Sequence, residues 1–134
     1  MGYSIVDVDE VPNAENRPCT LRRLTDPAGL SAVAVNRYSA DPGEEIPLAY
    51  HYHDEQEEAF YVISGSLHVE TPERTYELGA DELFAAEPRS PHRAFCPETA
   101  EEPVEVLAIG APNVSDGDEV HAFDPEADEL PVGE

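Results

Sequence analysis

The sequence predicts an all-β fold, a sandwich or barrel of short strands, on three observations. Apolar residues recur with a period near two in several short stretches; turn signals separate those stretches; helical periodicity is almost absent. Thirteen prolines and eight glycines spread along 134 residues suit many strands joined by tight turns.

Taken in order, Ala32, Ala34, Asn36 and Tyr38 alternate with Val33, Val35 and Arg37. The turn Asp41-Pro42-Gly43 comes next. Glu58, Phe60 and Val62 then alternate with Ala59, Tyr61 and Ile63, up to Ser64-Gly65. Leu67 and Val69 alternate with Ser66, His68 and Glu70, and turns at 71–73, 79–81 and 88–91 divide the chain from there to His92. Val104, Val106 and Ala108 close the series. No internal repeat is visible, so one such unit is expected, over residues 1–110. Residues 111–134 carry eight acidic residues and no basic ones. They are expected to form a solvated acidic extension, with Val120, Phe123 and Leu130 able to dock on the barrel.

The net charge is −23, and all seven basic residues are arginine. Such a surface repels a phosphate backbone, which argues against nucleic-acid binding. It also repels itself, and at ~1 M salt the Debye length shrinks to about 3 Å, so a lysine-free acidic chain has the style of a salt-in halophile. No apolar run approaches the ~18 residues of a membrane span. The first ten residues hold Asp7, Asp9 and Glu10 and no basic stretch, so no signal peptide is expected and the location expected is cytoplasmic. In that compartment Cys19 and Cys96 are expected to be free thiols.

Three of the five histidines stand in a chemically suggestive pattern. On a strand, His51 and His53 share a face while Tyr52 points away. Glu58 opens the next strand beyond a short acidic turn and can return its carboxylate to the same centre. His92, at the junction of the turn at 88–91 and the strand His92 to Cys96, is a fourth candidate. Two or three imidazoles and one carboxylate suit a divalent metal with open positions. Glu55 and Glu57 are alternative carboxylates, read as solvated turn charges.

From Gly43 through His51-Tyr52-His53, four residues, Glu58, six residues and Gly65, the segment resembles the first motif of the cupins. Gly79 to Cys96 resembles their second motif: Gly, a hydrophobic strand, Pro-x-Gly, two residues, His, three residues, Asn. Seven residues separate Gly43 from His51, where the family commonly has five. Ser90 is read at the position of the Pro-x-Gly glycine, and Cys96 at that of the asparagine. The resemblance implies a double-stranded β-helix, the cupin jelly-roll barrel, and usually a homodimer. It implies metal ligation by His51, His53, Glu58 and His92, with Fe, Mn, Zn, Ni, Co or Cu as the ion.

It further implies an enzyme acting on a small organic molecule, of dioxygenase, isomerase or decarboxylase type. The alternative is a non-catalytic binding or sensor module; a storage protein is a distant third. Around the site, Cys96 is read as core rather than pocket, and His68 as facing solvent. Tyr50, Phe60 and Tyr61 are read as core. Arg89 and Arg93 either draw an anion to the barrel mouth or pair with surface carboxylates. His121 is expected to be exposed. No further acid–base residue stands out.

Overall fold

The computed structural model describes residues 2–114 and 119–131. Ten strands succeed one another: β1 (Thr20–Arg23), β2 (Ala34–Ala40), β3 (Glu45–His53), β4 (Glu57–Ser64) and β5 (Leu67–Glu70), then β6 (Thr75–Leu78), β7 (Leu83–Ala86), β8 (His92–Phe95), β9 (Val104–Ala111) and β10 (Val120–Ala122). Among the described residues there is no α-helix, only a 3-10 turn at Val8–Glu10. The strands form two antiparallel five-stranded sheets, in the orders β1-β2-β9-β4-β7 and β10-β3-β8-β5-β6. Non-consecutive neighbours in both sheets, with chain crossing between them, make the jelly-roll barrel.

The period-two readings translate directly into faces. Tyr38 and Ala40 on β2, Phe60 and Val62 on β4, Leu67 and Val69 on β5, and Val104 and Val106 on β9 all turn inward and are buried. With Leu21, Ile46, Ala94 and Cys96 they form one core between the sheets. Each fully buried Val or Leu side chain contributes about 1.5–3 kcal/mol relative to exposure, and this face is what holds register.

Two motif glycines have physical reasons. Gly65 sits at φ +86°, and a Cβ there would lie 2.6 Å from the carbonyl oxygen of Pro103 and 2.8 Å from the Cα of Val104. Neither backbone atom can step aside, so the β4–β5 turn requires a residue without a side chain. Gly43, at φ +92°, would place a Cβ at ordinary contact distance, 3.5 Å, from Glu98 Cγ, so it is needed only for its left-handed backbone.

The acidic C-terminal stretch supplies a strand. β10 pairs antiparallel with β3, Val120 opposite His53 and Ala122 opposite His51. Phe123 is buried, with its ring 5.4 Å from that of Tyr50.

Candidate metal centre

The long spacing between Gly43 and His51 is absorbed within β3. Ile46 pairs with Ala94 and His51 with His92, five residues along β3 against two along β8. The chain bulges between these pairs and brings His51 directly opposite His92, both facing into the barrel and both nearly inaccessible (3% and 2% exposed). Their ring centroids are 4.9 Å apart.

Each of these two rings is oriented from behind. Nδ1 of His51 lies 2.8 Å from the carbonyl oxygen of Ala49, and Nδ1 of His92 lies 2.8 Å from that of Ser90. A carbonyl only accepts, so in each ring Nδ1 carries the proton and Nε2 is left with its lone pair. Ligand atoms of His51, Glu58 and His92 all lie within 4.8 Å of one another. Two ligands about 2.1 Å from one ion lie at most about 4.2 Å apart, so a small inward movement closes the set. His53 lies outside that set of three, but its Nε2 is 3.3 Å from Oε1 of Glu58.

Oε1 of Glu58 is also 3.0 Å from Nε2 of His92. With Nδ1 already donating to Ser90, a neutral His92 would face this oxygen lone pair to lone pair. A second ring proton or a cation must lie between them. The donor chemistry therefore fits a divalent ion. Burial alone would raise the Glu58 pKa, but hydrogen bonds from His53 and His92 hold the carboxyl well below the usual carboxylate range. Burial, and then the neighbouring His92, push the His51 imidazole down to about 4, so it is neutral at pH 7 and available as a ligand.

A cavity of about 210 Å³ opens beside this cluster and is lined by His51, His53 and Glu58, among others. His92 does not line it and reaches Glu58 from the opposite wall. Other sequence candidates fall elsewhere. Cys96 is in the core. His68 packs edge-on against Phe95, on the barrel's outer face. Arg93 is held by Glu45 and Glu70 and lies over the Phe95 ring. Phe60 is core, whereas Tyr61 hydrogen-bonds Asp81 at the surface. Tyr50 is buried under Phe123 on the far side of β3. Glu55 and Glu57 are exposed. His121 is half-buried: its Nε2 is 2.8 Å from Asp54 Oδ2, and its ring stacks on Tyr52.

Besides Tyr61, read as core, and His121, read as exposed, one motif reading is corrected. The left-handed residue in the β7–β8 turn is Arg89, at φ 62°, not Ser90. It is Arg89 that occupies the glycine-like position, while Ser90 supplies the carbonyl that orients His92. Arg89 meets backbone carbonyls rather than a carboxylate: its backbone N–H donates to the carbonyl of His53 and its guanidinium to that of Asp54, tying the β7–β8 turn to the loop after β3.

Sequence reasoning missed Glu119. Its buried carboxylate accepts hydrogen bonds from the backbone N–H groups of Glu55 and Gln56, both at 2.8 Å, and lies 4.0 Å from Nδ1 of His53. It thus fixes the short loop that sets His53 and Glu58 at the same centre. Gln56 was missed too; buried, it donates to the carbonyl of Pro112 and packs on Gly110, the residue paired with Glu58. Nothing in an acidic run singles out one carboxylate as a loop support.

A family model described as Cupin domain matches residues 36–110. Among curated proteins, the chain is 36% identical over 84 residues to the polyketide synthase CurC of Streptomyces cyaneus, a match taking in 58% of this chain and 51% of that protein. The chain thus spans about half the length of that relative. Among solved structures it resembles the polyketide cyclase RemF from Streptomyces resistomycificus, with a TM-score of 0.68 and 21% identity over 82% of this chain and 80% of that one. It also resembles a sugar phosphate isomerase from Silicibacter pomeroyi, with a TM-score of 0.69 and 23% identity over 81% and 76%. At such identities the likeness is one of fold.

Proposed function

The chain belongs to the cupin family, and on that premise we propose that it is a metal-dependent enzyme acting on a small organic molecule. One divalent ion would be held by His51, His53, Glu58 and His92. The observation that carries this reading is the approach of two imidazole Nε2 atoms to one oxygen of Glu58, at 3.0 and 3.3 Å, with His51 in the same cluster. When bound, such an ion supplies Lewis acidity to a substrate oxygen. The chain's own residues supply the rest. Ala49 and Ser90 fix the rings through their carbonyls, and Glu119 fixes the loop. The cavity beside the cluster gives a substrate its place.

Dioxygenation, isomerisation and decarboxylation all suit one ion beside a small cavity; the cyclase and the isomerase share the fold with this chain. The non-catalytic alternative, a binding or sensor module, needs the same ion and cavity but no turnover.

The test is elemental analysis of protein purified without added metal and without a nickel column. About one divalent ion per chain is expected, and none in the His51→Ala/His53→Ala double variant. Full occupancy in that variant would refute the ligand set.

Two further properties belong to this proposal. A homodimer is supported by apolar side chains on the outer face of the first sheet, where Ile63, Leu83 and Ile109 are exposed around Tyr61; sedimentation would report it. Salt-dependent stability is supported by the net charge of −23, with a melting temperature that climbs from low to molar KCl. A flat or falling curve would remove the halophilic reading.

A further inference from the structure

The cavity beside the metal cluster is walled in part by two arginines, Arg17 and Arg23, in a chain with seven basic residues against thirty acidic ones. Arg23 ends β1, two residues from the buried Leu21, and is exposed at the cavity rim. Arg17 precedes β1 and is carried to the same cavity by the bend at Pro18 and Cys19.

The register connects this wall to the metal cluster. Arg23 pairs with Asn36 and Leu21 with Tyr38, Asn36 pairs with Ala108, and Ala108 pairs with Phe60, two residues from Glu58 on β4. Three strand spacings of about 4.8 Å separate β1 from β4, roughly 14 Å in all. Asn36 and Tyr38 line the cavity between them. The Tyr38 phenol is pushed up by burial and then by the charge of Glu58, with Arg23 and Arg17 acting in the opposite sense. It therefore stays protonated at neutral pH and offers a hydrogen-bond donor.

Charge makes Arg23 unusual in the molecule. Arg22, Arg37 and Arg93 each lie against a carboxylate. The Arg23 side chain makes no ion pair or hydrogen bond among the described residues, although the chain has four acids for every base to offer it. The acidic side chains on this cavity are Asp26 and Glu58, and Glu58 is engaged by His53 and His92.

We propose that this cavity binds a small organic oxyanion, its carboxylate or phosphate group held by Arg17 and Arg23 with donors from Tyr38 and Asn36, and its uncharged end directed toward Glu58. Arginine's planar fork matches either group. A cavity of about 210 Å³ holds roughly seven waters at about 30 Å³ each, so the ligand is of monocyclic size. This deepens the enzyme reading by naming the charge of the substrate. It rests on that reading only for the claim that the bound anion is turned over.

The test uses the full chain as purified, in 0.15 M NaCl, with three probes of similar shape: benzoate, phenyl phosphate and the uncharged benzamide. The overall charge opposes binding of any anion, so a preference for one must come from a local site. One of the two anions is expected to bind at least tenfold more tightly than benzamide by calorimetry, and the tighter one names the group. The Arg17→Ala/Arg23→Ala variant should lose that advantage while keeping its benzamide affinity and its metal content, and Arg23→Lys should recover part of it. Arg23→Ala alone, at an exposed strand end, gives the reading if the double variant does not fold. Equal binding of all three probes, or an anion preference untouched by these substitutions, would overturn the proposal. An anion preference in protein that binds no metal would uphold the subsite and sink the metal reading; a metal-loaded protein without the preference would do the reverse.

Discussion

The two ends of the barrel are built from the same strands and obey different rules. Along β4, Glu58 stands at one end and Phe60 and Val62 at the other; along β8, His92 gives way to Ala94. β3 carries Ile46 into the closed end and His51 into the open one. At the closed end the side chains need only be apolar and fit, and their neighbours are interchangeable in kind. At the open end each polar atom needs a named partner: Ala49 and Ser90 for the rings, Glu119 for the loop. The difference teaches that burial holds the fold at one end while hydrogen bonds from outside the strands hold the chemistry at the other.

The largest effect should come from the closed end's turn. Gly65→Ala drives a Cβ into the backbone of Pro103 and Val104 and asks for a left-handed alanine. A loss of about 3 kcal/mol or more is expected by urea unfolding. A loss below about 0.5 kcal/mol would mean that the turn is not packed as described.

Glu119→Ala should separate the two ends. It leaves the N–H groups of Glu55 and Gln56 without their acceptor and frees the loop between His53 and Glu58. Outer supports of this kind are worth about 10- to 100-fold in metal affinity, so metal binding should weaken by at least tenfold while the urea midpoint moves far less than for Gly65→Ala. If the two variants change stability equally and metal affinity is untouched, the two ends are not independent.

The smallest effect sharpens the closed end. Burial, followed by the charge of Glu44, raises the Cys19 thiol to about 12. Burial likewise raises that of Cys96. A raised thiol pKa means the reactive thiolate is scarce below that value, so at pH 8.5 both cysteines should resist iodoacetamide in the native protein and react once it is unfolded. Any stability these neutral thiols lend is present at neutral pH and is lost only as pH rises toward the Cys19 value. Prompt alkylation of the folded chain would show that solvent enters the core.

The fold was legible because burial leaves a periodic trace: Phe60/Val62, Leu67/Val69 and Val104/Val106 announce their faces without help. β1 and β6 each bury a single residue, Leu21 and Leu78, and so show no alternating pair, and the three-residue β10 lies in an acidic run that reads as solvent-facing. The grouping of His51, Glu58 and His92 was legible from spacing. Their supports were not, because a carbonyl such as that of Ser90 has no residue type, and Glu119 looks like every other carboxylate nearby. The glycine-like position was legible too: two residues before His92 place it at Arg89, whereas Ser90 leaves only Pro91 between.

The pairing of β10 with β3 also sets an order of events at the ribosome. Chains emerge N-terminus first, and His53 must wait for Val120, its partner 67 residues later, before its strand gains this neighbour. Until then the amides of Glu55 and Gln56 have no Glu119 to bind. The nascent protein can therefore assemble its closed end early, while the pocket that would receive an ion is finished only as the last described strand is made. Any ion would then be taken up only once Glu119 and Val120 have emerged, and a truncation before residue 119 should disturb the pocket before it disturbs the closed end.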